Sequence, residues 1–352
     1  MAIPNIPPAY MGYVGFIRFR PNGENPYIVR ATSTSLAAKQ EITKPNVIDS
    51  RYDMTVYQLG PKEMEGDVSF PAIYDPQGGA SVIESCYRHA ITRDAAIGSL
   101  LEMDIDVRYA PNDGSSHMAD FNYLGCIINT FKFSVAQSDA VNITVGVIAK
   151  DRVEPGFSGN NSLAFSPFTE FNFDDTSGSG TGTYGTAKEN SRIVTWADAR
   201  FEIFPSRGMP SGTPMIGGEY IRSYDVNINN NAERFYTLNG KLVPQAIGPK
   251  KREISGTTVV LGRHPALAQC ARTNQDYAFE YSYINFGFVA NSSGVLNNTF
   301  GVKLPNVIFQ LEEMELKNEL FETTINWHSL PAAGTFSLFD DPLLNTDVAF
   351  SS

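Results

Sequence analysis

The segment Gly60-Pro61-Lys62-Glu63-Met64-Glu65-Gly66-Asp67-Val68 recurs in the second half of the chain as Gly248-Pro249-Lys250-Lys251-Arg252-Glu253-Ile254-Ser255-Gly256-Thr257-Thr258-Val259, with two extra residues in the second copy. Earlier segments match in the same order: residues 16–23 resemble residues 201–208, and residues 27–30 resemble residues 220–222. The matched segments lie roughly 180 to 190 residues apart, which is the signature of a tandem duplication. The sequence therefore predicts two copies of one structural plan.

A short helix is predicted at the same point of each half. In the first half, Ser81 and Glu84 form a capping-box pattern, which satisfies the free N–H groups at a helix start. Apolar residues then recur at helical spacing: Ile83, Cys86, Tyr87, Ala90 and Ile91. In the second half, Pro265 suits a first helical position, and Cys270 stands where Cys86 stands in the first.

Alternating apolar and polar residues predict strands after each helix. In residues 101–109 and in residues 277–283, apolar and polar residues alternate with a period of two. This pattern is typical of a strand with one buried face and one face in contact with solvent. A hairpin is predicted to close each half, over residues 131–147 and residues 309–327. We expect a mainly β fold (all-β or α+β) of two similar β-sandwich or β-barrel domains, each with one short helix, together with long loops and extended termini.

The chain divides near its middle, because residues 174–185 are too polar and too rich in glycine to pack in a core. The expected organisation is an N-terminal arm (1–14), a first β domain (15–155), a glycine- and serine-rich linker or loop (156–192), a second β domain (193–330) and a C-terminal arm (331–352). The C-terminal arm is apolar without periodicity, so we expect it to dock on a neighbouring subunit.

The composition excludes several classes of protein. The 352 residues include 27 Lys and Arg against 38 Asp and Glu, a net charge of -11, whereas a protein that grips nucleic acid needs a positive surface. Cys86, Cys126 and Cys270 lack metal-ligand spacing, and we expect them to be reduced and mostly buried. No stretch approaches the ~20 apolar residues that span a bilayer, so no membrane anchor is expected.

No motif has the spacing of a catalytic, metal-binding or cofactor-binding site. Residues 180–185 spell GxGxxG, but no apolar helix follows them, and we interpret them as linker. The four histidines form no ligand pair, and the members of a Ser/His/Asp triad need only meet in space, so no set can be nominated. We expect no enzyme activity, no metal and no cofactor.

Two long segments, residues 37–57 and residues 229–245, mix charges with aromatic residues. Connections of this length are uncommon unless they are functional, and this composition suits contacts between proteins. The alternative is a pair of mobile surface hairpins. The candidate contact residues are Lys39, Glu41, Lys44, Arg51, Asp53, Glu233, Arg234, Phe235, Tyr236 and Lys241.

Carboxylates form two groups, Glu102 with Asp104 and Asp106, and Glu312 with Glu313 and Glu315. The first group shares one face of the strand predicted over residues 101–109. A solvated surface is the ordinary explanation of such a face, and the functional one is a deliberately acidic wall. A carboxylate pair could also serve a glycosidase, but that needs a separation across a cleft which the sequence does not give.

This organisation resembles the tail tube proteins of tailed bacteriophages. The features that carry the resemblance are the β-rich domain with one short helix, the long charged loop before Gly60-Pro61-Lys62 and before Gly248-Pro249-Lys250, the extended termini and the acidic character. The resemblance implies a structural virion protein, made in the bacterial host cytoplasm, that assembles as stacked rings around a channel for DNA delivery. Two copies per chain imply a trimeric ring with pseudo-sixfold symmetry.

The resemblance also implies roles for the candidate residues. The contact loops would reach the adjacent ring, and the carboxylates would line the lumen, where they repel phosphate so that DNA passes without specific binding. The implied partners are further copies of the chain and other tail proteins, namely the terminator, the baseplate and a sheath.

Two other interpretations stay open. The same domain can serve in a distal-tail, terminator or baseplate hub protein. A carbohydrate-binding or carbohydrate-cleaving β-sandwich would instead use Tyr281, Tyr283 and Trp327 as sugar platforms, and exposed aromatic residues on the floor of a cleft would favour it.

Overall fold

The computed structural model of the chain describes residues 13–22, 27–29, 31–43, 58–74, 82–92, 99–111, 119–153, 192–204, 216–262, 282–290, 298–311 and 322–329. The elements before residue 155, here the first half, are β1 (Tyr13–Pro21), β2 (Tyr27–Val29), β3 (Ser33–Thr34), β4 (Ala37–Thr43), β5 (Gln58–Pro71), β6 (Ile73–Tyr74), α1 (Val82–Ile91), β7 (Met103–Pro111), β8 (Ala119–Ala136), β9 (Asn142–Ala149) and β10 (Asp151–Val153).

The elements after residue 191, here the second half, are β11 (Arg192–Ile193), β12 (Ala199–Phe204), a 3-10 turn (Gly218–Tyr220), β13 (Ile221–Asn229), β14 (Glu233–Phe235), β15 (Ala246–Gly248), β16 (Glu253–Leu261), β17 (Ser282–Ala290), β18 (Asn298–Leu311) and β19 (Glu322–Ser329). Strands predominate and pair antiparallel: within the described residues, fifteen form one sheet, and β6 with β11 and β14 with β15 form two small sheets, so the predicted mainly β class is confirmed.

The two halves have the same order of paired strands. In the first half the order is β1, β7, β8, β9 and β5, and β3 and β4 follow on β5. In the second half the order is β12, β17, β18, β19 and β16, and β13 follows on β16. The tandem duplication stays a prediction, and this correspondence supports it.

One detail of the predicted match between the halves is wrong. Residues 27–30 were matched with residues 220–222, but β2 pairs with β1, whereas β13 pairs with β16 and begins directly after the 3-10 turn. The strand that corresponds to β13 by its partners is β3 with β4. Letters shared over three residues do not determine a strand's partner, because pairing depends on the whole sheet.

The halves are joined in the middle of the sheet, where β13 pairs with the C-terminal part of β8 from Ser223↔Ala136 to Asn229↔Thr130. Strand β8 is long enough to carry β7 on its first part and both β9 and β13 on its second part. The two halves therefore form one continuous sheet over one large hydrophobic core.

The helix predicted in the first half is present as α1, and it packs against β8. Its apolar stripe of Ile83, Cys86, Tyr87, Ala90 and Ile91 is buried. The ring of Tyr87 makes edge contacts with Phe131 of the first half and Phe300 of the second. The helix therefore sits over the junction and contributes to the core of both halves.

The predicted hairpins are found at both positions. In the first, Phe131 lies opposite Val145 and Phe133 opposite Ile143, across a turn at residues 137–139. In the second, Phe309 lies opposite Trp327. Other predictions fall outside the described residues: the second helix from Pro265, the linker over residues 156–191, most of both arms, and strand residues 277–281.

Candidate assembly surface

The predicted contact loop of residues 229–245 lies against β5, the strand that directly follows the other predicted contact loop, residues 37–57. The Arg234 guanidinium donates to the Glu65 carboxylate at 2.8 Å and to the Met64 carbonyl at 3.2 Å. The Tyr236 hydroxyl donates to the Lys62 carbonyl at 3.0 Å, and the Lys62 N–H donates to the Leu242 carbonyl at 2.7 Å. The β4–β5 hairpin and the arm of residues 230–250 therefore form one surface.

This paired surface exposes large apolar side chains. The exposed fractions are 54% for Ile42, 42% for Leu59, 50% for Phe235 and 109% for Leu238. Tyr236 and Leu242 on the same hairpins are exposed as well. Single exposed hydrophobic residues are ordinary, but a concentration of them on two neighbouring hairpins marks an interaction site.

Most of the charged candidates that the structure describes in these loops are exposed. Lys39, Glu41 and Lys241 are exposed, and Glu233 forms an ion pair with Lys250 at 2.7 Å. Lys44, Arg51 and Asp53 lie outside the described residues. The role in assembly of the ten candidate contact residues of the two predicted loops stays a prediction.

The base of the 230–250 arm is anchored by Ile247, which sequence reasoning did not single out. Ile247 is 2% exposed and packs with Leu100, Ile127 and Ile148, all from the first half. Its position directly before Gly248-Pro249-Lys250 corresponds to that of Leu59 before Gly60-Pro61-Lys62. Ile247 is buried between the two halves and packs on the first half, whereas Leu59 is exposed to solvent.

A second anchor at the junction is the fully buried Asn230. Its amide donates to the carbonyl of Ala90 at 2.8 Å and to the carbonyl of Ile128 at 3.2 Å. Arg252 donates to the Asn230 side-chain oxygen at 2.9 Å and also to the carbonyl of Ile91. The bonds to Ala90 and Ile91 satisfy carbonyls that a helix C-terminus leaves without intrahelical partners, and they tie α1 to the second half.

The structure corrects the expectation that Asp106 belongs to a row of solvated carboxylates. Asp106 is 1% exposed, and it accepts from Arg18 at 2.7 Å and from Arg20 at 3.1 Å. The cause is the register of β1 on β7, which sets Arg18 directly opposite Asp106. The signal was present in the sequence, because Arg18 and Arg20 alternate with the buried Ile17 and Phe19.

The neighbouring carboxylates are half-buried and also paired with cations. Asp104 accepts from the Gly125 N–H at 2.9 Å and lies 3.4 Å from Arg20. Glu102 forms an ion pair with Lys150 at 2.5 Å. The face of β7 is therefore balanced in charge and not acidic as expected. Its position on the lumen stays a prediction, and Glu312, Glu313 and Glu315 lie outside the described residues.

The aromatic residues proposed as sugar platforms do not form an exposed floor. Trp327 is fully buried, and its indole N–H donates to the Thr258 hydroxyl at 3.1 Å. Tyr283 stacks on Phe204, and Tyr281 lies outside the described residues. The strand alternation explains the correction, because Trp327 points to the core face of β19 together with the buried Ile325.

The buried side chains of Cys86, Cys126 and His89 are uncharged parts of the hydrophobic core. Burial raises the pKa of the Cys86 thiol to about 12, so this cysteine stays protonated, and burial likewise raises the pKa of Cys126. Burial lowers the pKa of His89, whose ring N–H donates to the Ser85 carbonyl at 2.9 Å. Cys86 and Cys126 are free thiols, as expected, and Cys270 lies outside the described residues.

Comparison with known families decides what kind of protein carries this surface. A family model described as "Phage tail tube protein" matches residues 21–294, which is more than half of the chain and runs through both halves. The chain belongs to the phage tail tube protein family. A comparison with curated proteins gives no match.

Membership of the tail tube protein family makes the chain a structural component of the phage tail, as the resemblance implied. No helix within the described residues is long and apolar enough to cross a membrane.

Proposed function

We propose that the chain is the subunit of a self-assembling tube through which phage DNA passes into the host. The observation that carries this proposal is the set of exposed apolar side chains on the two paired hairpins, in a chain of the tail tube family. Such side chains are stabilised by burial, at about 25 cal/mol per Å² of apolar surface removed from water. A second copy of the chain is the proposed partner that buries these side chains, because it is always present at the same concentration as the first.

The ring is proposed to contain three chains with pseudo-sixfold symmetry. The shared order of paired strands in the two halves supports this number, because three chains then supply six near-equivalent units. Contacts between two different surfaces of neighbouring subunits close into a ring when the rotation from one subunit to the next divides a full turn. The same kind of contact along the ring axis gives an open-ended stack of rings.

The contact between stacked rings is proposed to involve two segments. One is the exposed arm that carries Phe235, Tyr236, Leu238 and Lys241, and the other is the loop that contains Lys44, Arg51 and Asp53. Lys39 and Glu41 lie within β4, the first strand of the β4–β5 hairpin. The proposed partners at the tube ends are other tail proteins, namely the terminator, the baseplate and a sheath.

The channel wall is proposed to include Glu102 and Asp104. Each is paired with a cation, so DNA meets a polar face without the excess of positive charge that binds phosphates. The salt-bridged Asp106 stabilises the strand pair β1–β7 behind this face. No specific DNA contact is part of the proposal.

The test is negative-stain electron microscopy of the concentrated protein, in which we expect annuli and hollow rods. The double variant Phe235→Ser/Leu238→Ser should keep the subunit folded, because both side chains are exposed, and should give annuli without rods. A protein that stays monomeric at every concentration would overturn the proposal. Annuli that never stack in the unmodified protein would instead favour a terminator or baseplate component.

A further inference from the structure

We propose that the folded chain closes an isopeptide bond within itself, between the side chains of Lys303 on β18 and Asn285 on β17, with Glu202 on β12 transferring the protons. The three residues form one row across the sheet, because Glu202 lies directly opposite Asn285 and Asn285 directly opposite Lys303. Side chains opposite each other on antiparallel strands have Cβ atoms roughly 4.5–5.5 Å apart. The row therefore brings an amine, an amide and a carboxylate within reach of one another.

The row is enclosed, although it lies on the face of the sheet that points away from the core. Ile203 and Phe286, the neighbours of Glu202 and Asn285 along their strands, belong to the core, so the row occupies the opposite face. Glu202 is nevertheless 2% exposed and Asn285 6% exposed. Carboxylates are seldom buried so completely. Burial keeps water from competing with the amine for the amide carbon.

The amide of Asn285 is oriented for the loss of its nitrogen. This nitrogen, Nδ2, donates to the Glu202 carboxylate at 3.4 Å, so the group that would leave already lies next to a group that can carry protons. The Asn285 carbonyl oxygen is buried and has no hydrogen-bond partner among the described residues. Buried polar atoms without a partner are rare and require an explanation. A reactive amide supplies one.

The amine of Lys303 is held beside the row. Its Nζ lies 4.4 Å from the centroid of the Tyr283 ring, a cation–π contact that keeps the ammonium group near Asn285. The Tyr283 ring is itself stacked on Phe204. Burial raises the pKa of Tyr283, and the negative charge of Glu202 raises it further, so the field of this carboxylate reaches the ring that holds the ammonium group. The flexible stem of a lysine allows Nζ to turn from the ring to the opposite amide.

The reaction balances without any co-reactant. The Lys303 ammonium gives a proton to the Glu202 carboxylate, and the neutral amine attacks Cγ of Asn285. A bond forms between Nζ and Cγ, and the bond between Cγ and Nδ2 breaks. The protons that Nζ loses pass through Glu202 to the departing nitrogen, which leaves as ammonium, and Glu202 is a carboxylate again. No electrons are exchanged.

Two other rows of the sheet lack one requirement each. In the first half, Arg18 lies opposite Asp106, which lies opposite Asn122. Arg18 forms an ion pair with Asp106 at 2.7 Å, and its guanidinium stays protonated, so it does not attack an amide. Lys132 lies opposite Asn227, but Lys132 is exposed and Asn227 only half-buried, so water reaches this pair. We expect no bond at either place.

Mass spectrometry of the purified full chain tests the inference. The intact mass should be lower than the sequence mass by one ammonia molecule. Trypsin should fail to cut after Lys303 and should give residues 273–317 as one peptide that lacks ammonia, in place of peptides 273–303 and 304–317. Chymotrypsin, which cuts after the phenylalanines between the two bonded positions, should release two peptides joined through Lys303 and Asn285.

Three variants give the controls. Lys303→Arg keeps the positive charge without the reactive amine and should restore the full mass. Glu202→Gln keeps the size without the proton acceptor and should leave most of the chain without the bond. Lys132→Arg is the matched control on the exposed pair and should keep the loss of ammonia.

Two results would overturn the inference. One is a folded, unmodified chain with its full sequence mass after prolonged incubation. The other is a loss of ammonia that persists in Lys303→Arg without any joined peptide, as succinimide formation at the exposed Asn239–Gly240 pair would give. If Lys303→Arg does not fold, the joined peptide of the unmodified chain decides alone. The bond forms within one chain, so neither outcome bears on the proposed tube, and failure of the chain to assemble would leave the bond standing.

Discussion

Gly256 occupies a position at which no side chain fits. A Cβ atom there would lie 2.2 Å from the ring of Trp327 and 2.2 Å from the carbonyl oxygen of Asp225. Its counterpart Gly66 is equally closed, since a Cβ would lie 2.5 Å from the backbone of Ser35. The close approach of two strands thus explains why both repeated segments carry glycine at this point.

We predict that Gly256→Ala lowers the free energy of unfolding by about 1–3 kcal/mol, because Trp327 must leave its packed position. Urea unfolding followed by tryptophan fluorescence measures the change. The matched control is Gly218→Ala, since a Cβ at Gly218 meets nothing within 4 Å. Equal stability of the two variants would contradict the prediction.

The side chain of Asn230, together with that of Arg252, links α1 to the second half. Replacing it with alanine leaves the carbonyls of Ala90 and Ile128 without these donors and removes one acceptor from Arg252. Because the site is fully buried, we predict that Asn230→Ala costs about 1–3 kcal/mol of unfolding free energy. Thermal unfolding by circular dichroism measures it.

The control for this substitution is Asn239→Ala on the exposed part of the arm, where, among the described residues, the amide donates to Gln245 and accepts from the N–H of Lys241. A surface substitution of this kind is expected to change stability by no more than about 0.5 kcal/mol. If both variants unfold alike, Asn230 is not the anchor that its hydrogen bonds indicate.

At the scale of elements, the hairpins of the two halves have the same local design and different surroundings. The arm that begins after β13 lies on the first half and buries Ile247 there, whereas the β4–β5 hairpin leaves Leu59 and Ile42 exposed. The difference arises because the arm packs Ile247 on Leu100, Ile127 and Ile148, whereas the described part of the chain leaves Leu59 and Ile42 exposed.

We predict that Leu59→Ser and Ile247→Ser separate assembly from folding. Leu59→Ser should leave the stability of the isolated subunit within about 0.5 kcal/mol, while raising the concentration needed for rings by roughly tenfold. Ile247→Ser should lower the free energy of unfolding by at least about 2 kcal/mol, because a buried side chain is lost. Urea unfolding at low concentration and sedimentation velocity at high concentration measure the two effects.

The result that would contradict this prediction is a Leu59→Ser subunit that assembles at the same concentration as the unmodified protein. Leu261→Ser is a suitable further control for assembly, because Leu261 is 39% exposed on a different strand, outside the β4–β5 hairpin and the 230–250 arm.

At the scale of the whole molecule, the two halves share one interior. Phe133 of the first half contacts Tyr224, Phe286 and Phe300 of the second, with ring centroids 5.9, 5.5 and 6.0 Å apart. Strand β13 forms its second ladder only with β8. The two halves therefore share an order of paired strands, but they do not pack independently of each other.

We predict that residues 193–330 expressed alone do not fold cooperatively, because the apolar face of β13 and the aromatic cluster lose their partners in the first half. Near-ultraviolet circular dichroism and urea unfolding measure this. Co-expression with residues 1–192 is the control and should restore the cooperative transition. A sharp transition in the isolated fragment would show that the second half is a self-sufficient domain.

Much of the fold can be predicted from local patterns. The period-two alternation over residues 101–109 predicted β7, the capping box at Ser81 predicted α1, and the repeat of Gly60-Pro61-Lys62 pointed to two related halves. These signals are readable because each depends on neighbours within a few residues: a strand alternates its faces and a helix repeats its stripe whatever else surrounds it.

The sequence by itself thus determined the class of fold, the main elements and the resemblance to tail tube proteins. Only the tertiary structure decided that Asp106 is neutralised by Arg18, that Asn230 caps α1, and that Ile247 is buried while Leu59 is not. The reason is distance along the chain: the partners of Asp106 and Asn230 lie 88 and 140 residues away. Which of them meet depends on strand register, a property of the assembled sheet that no local pattern contains.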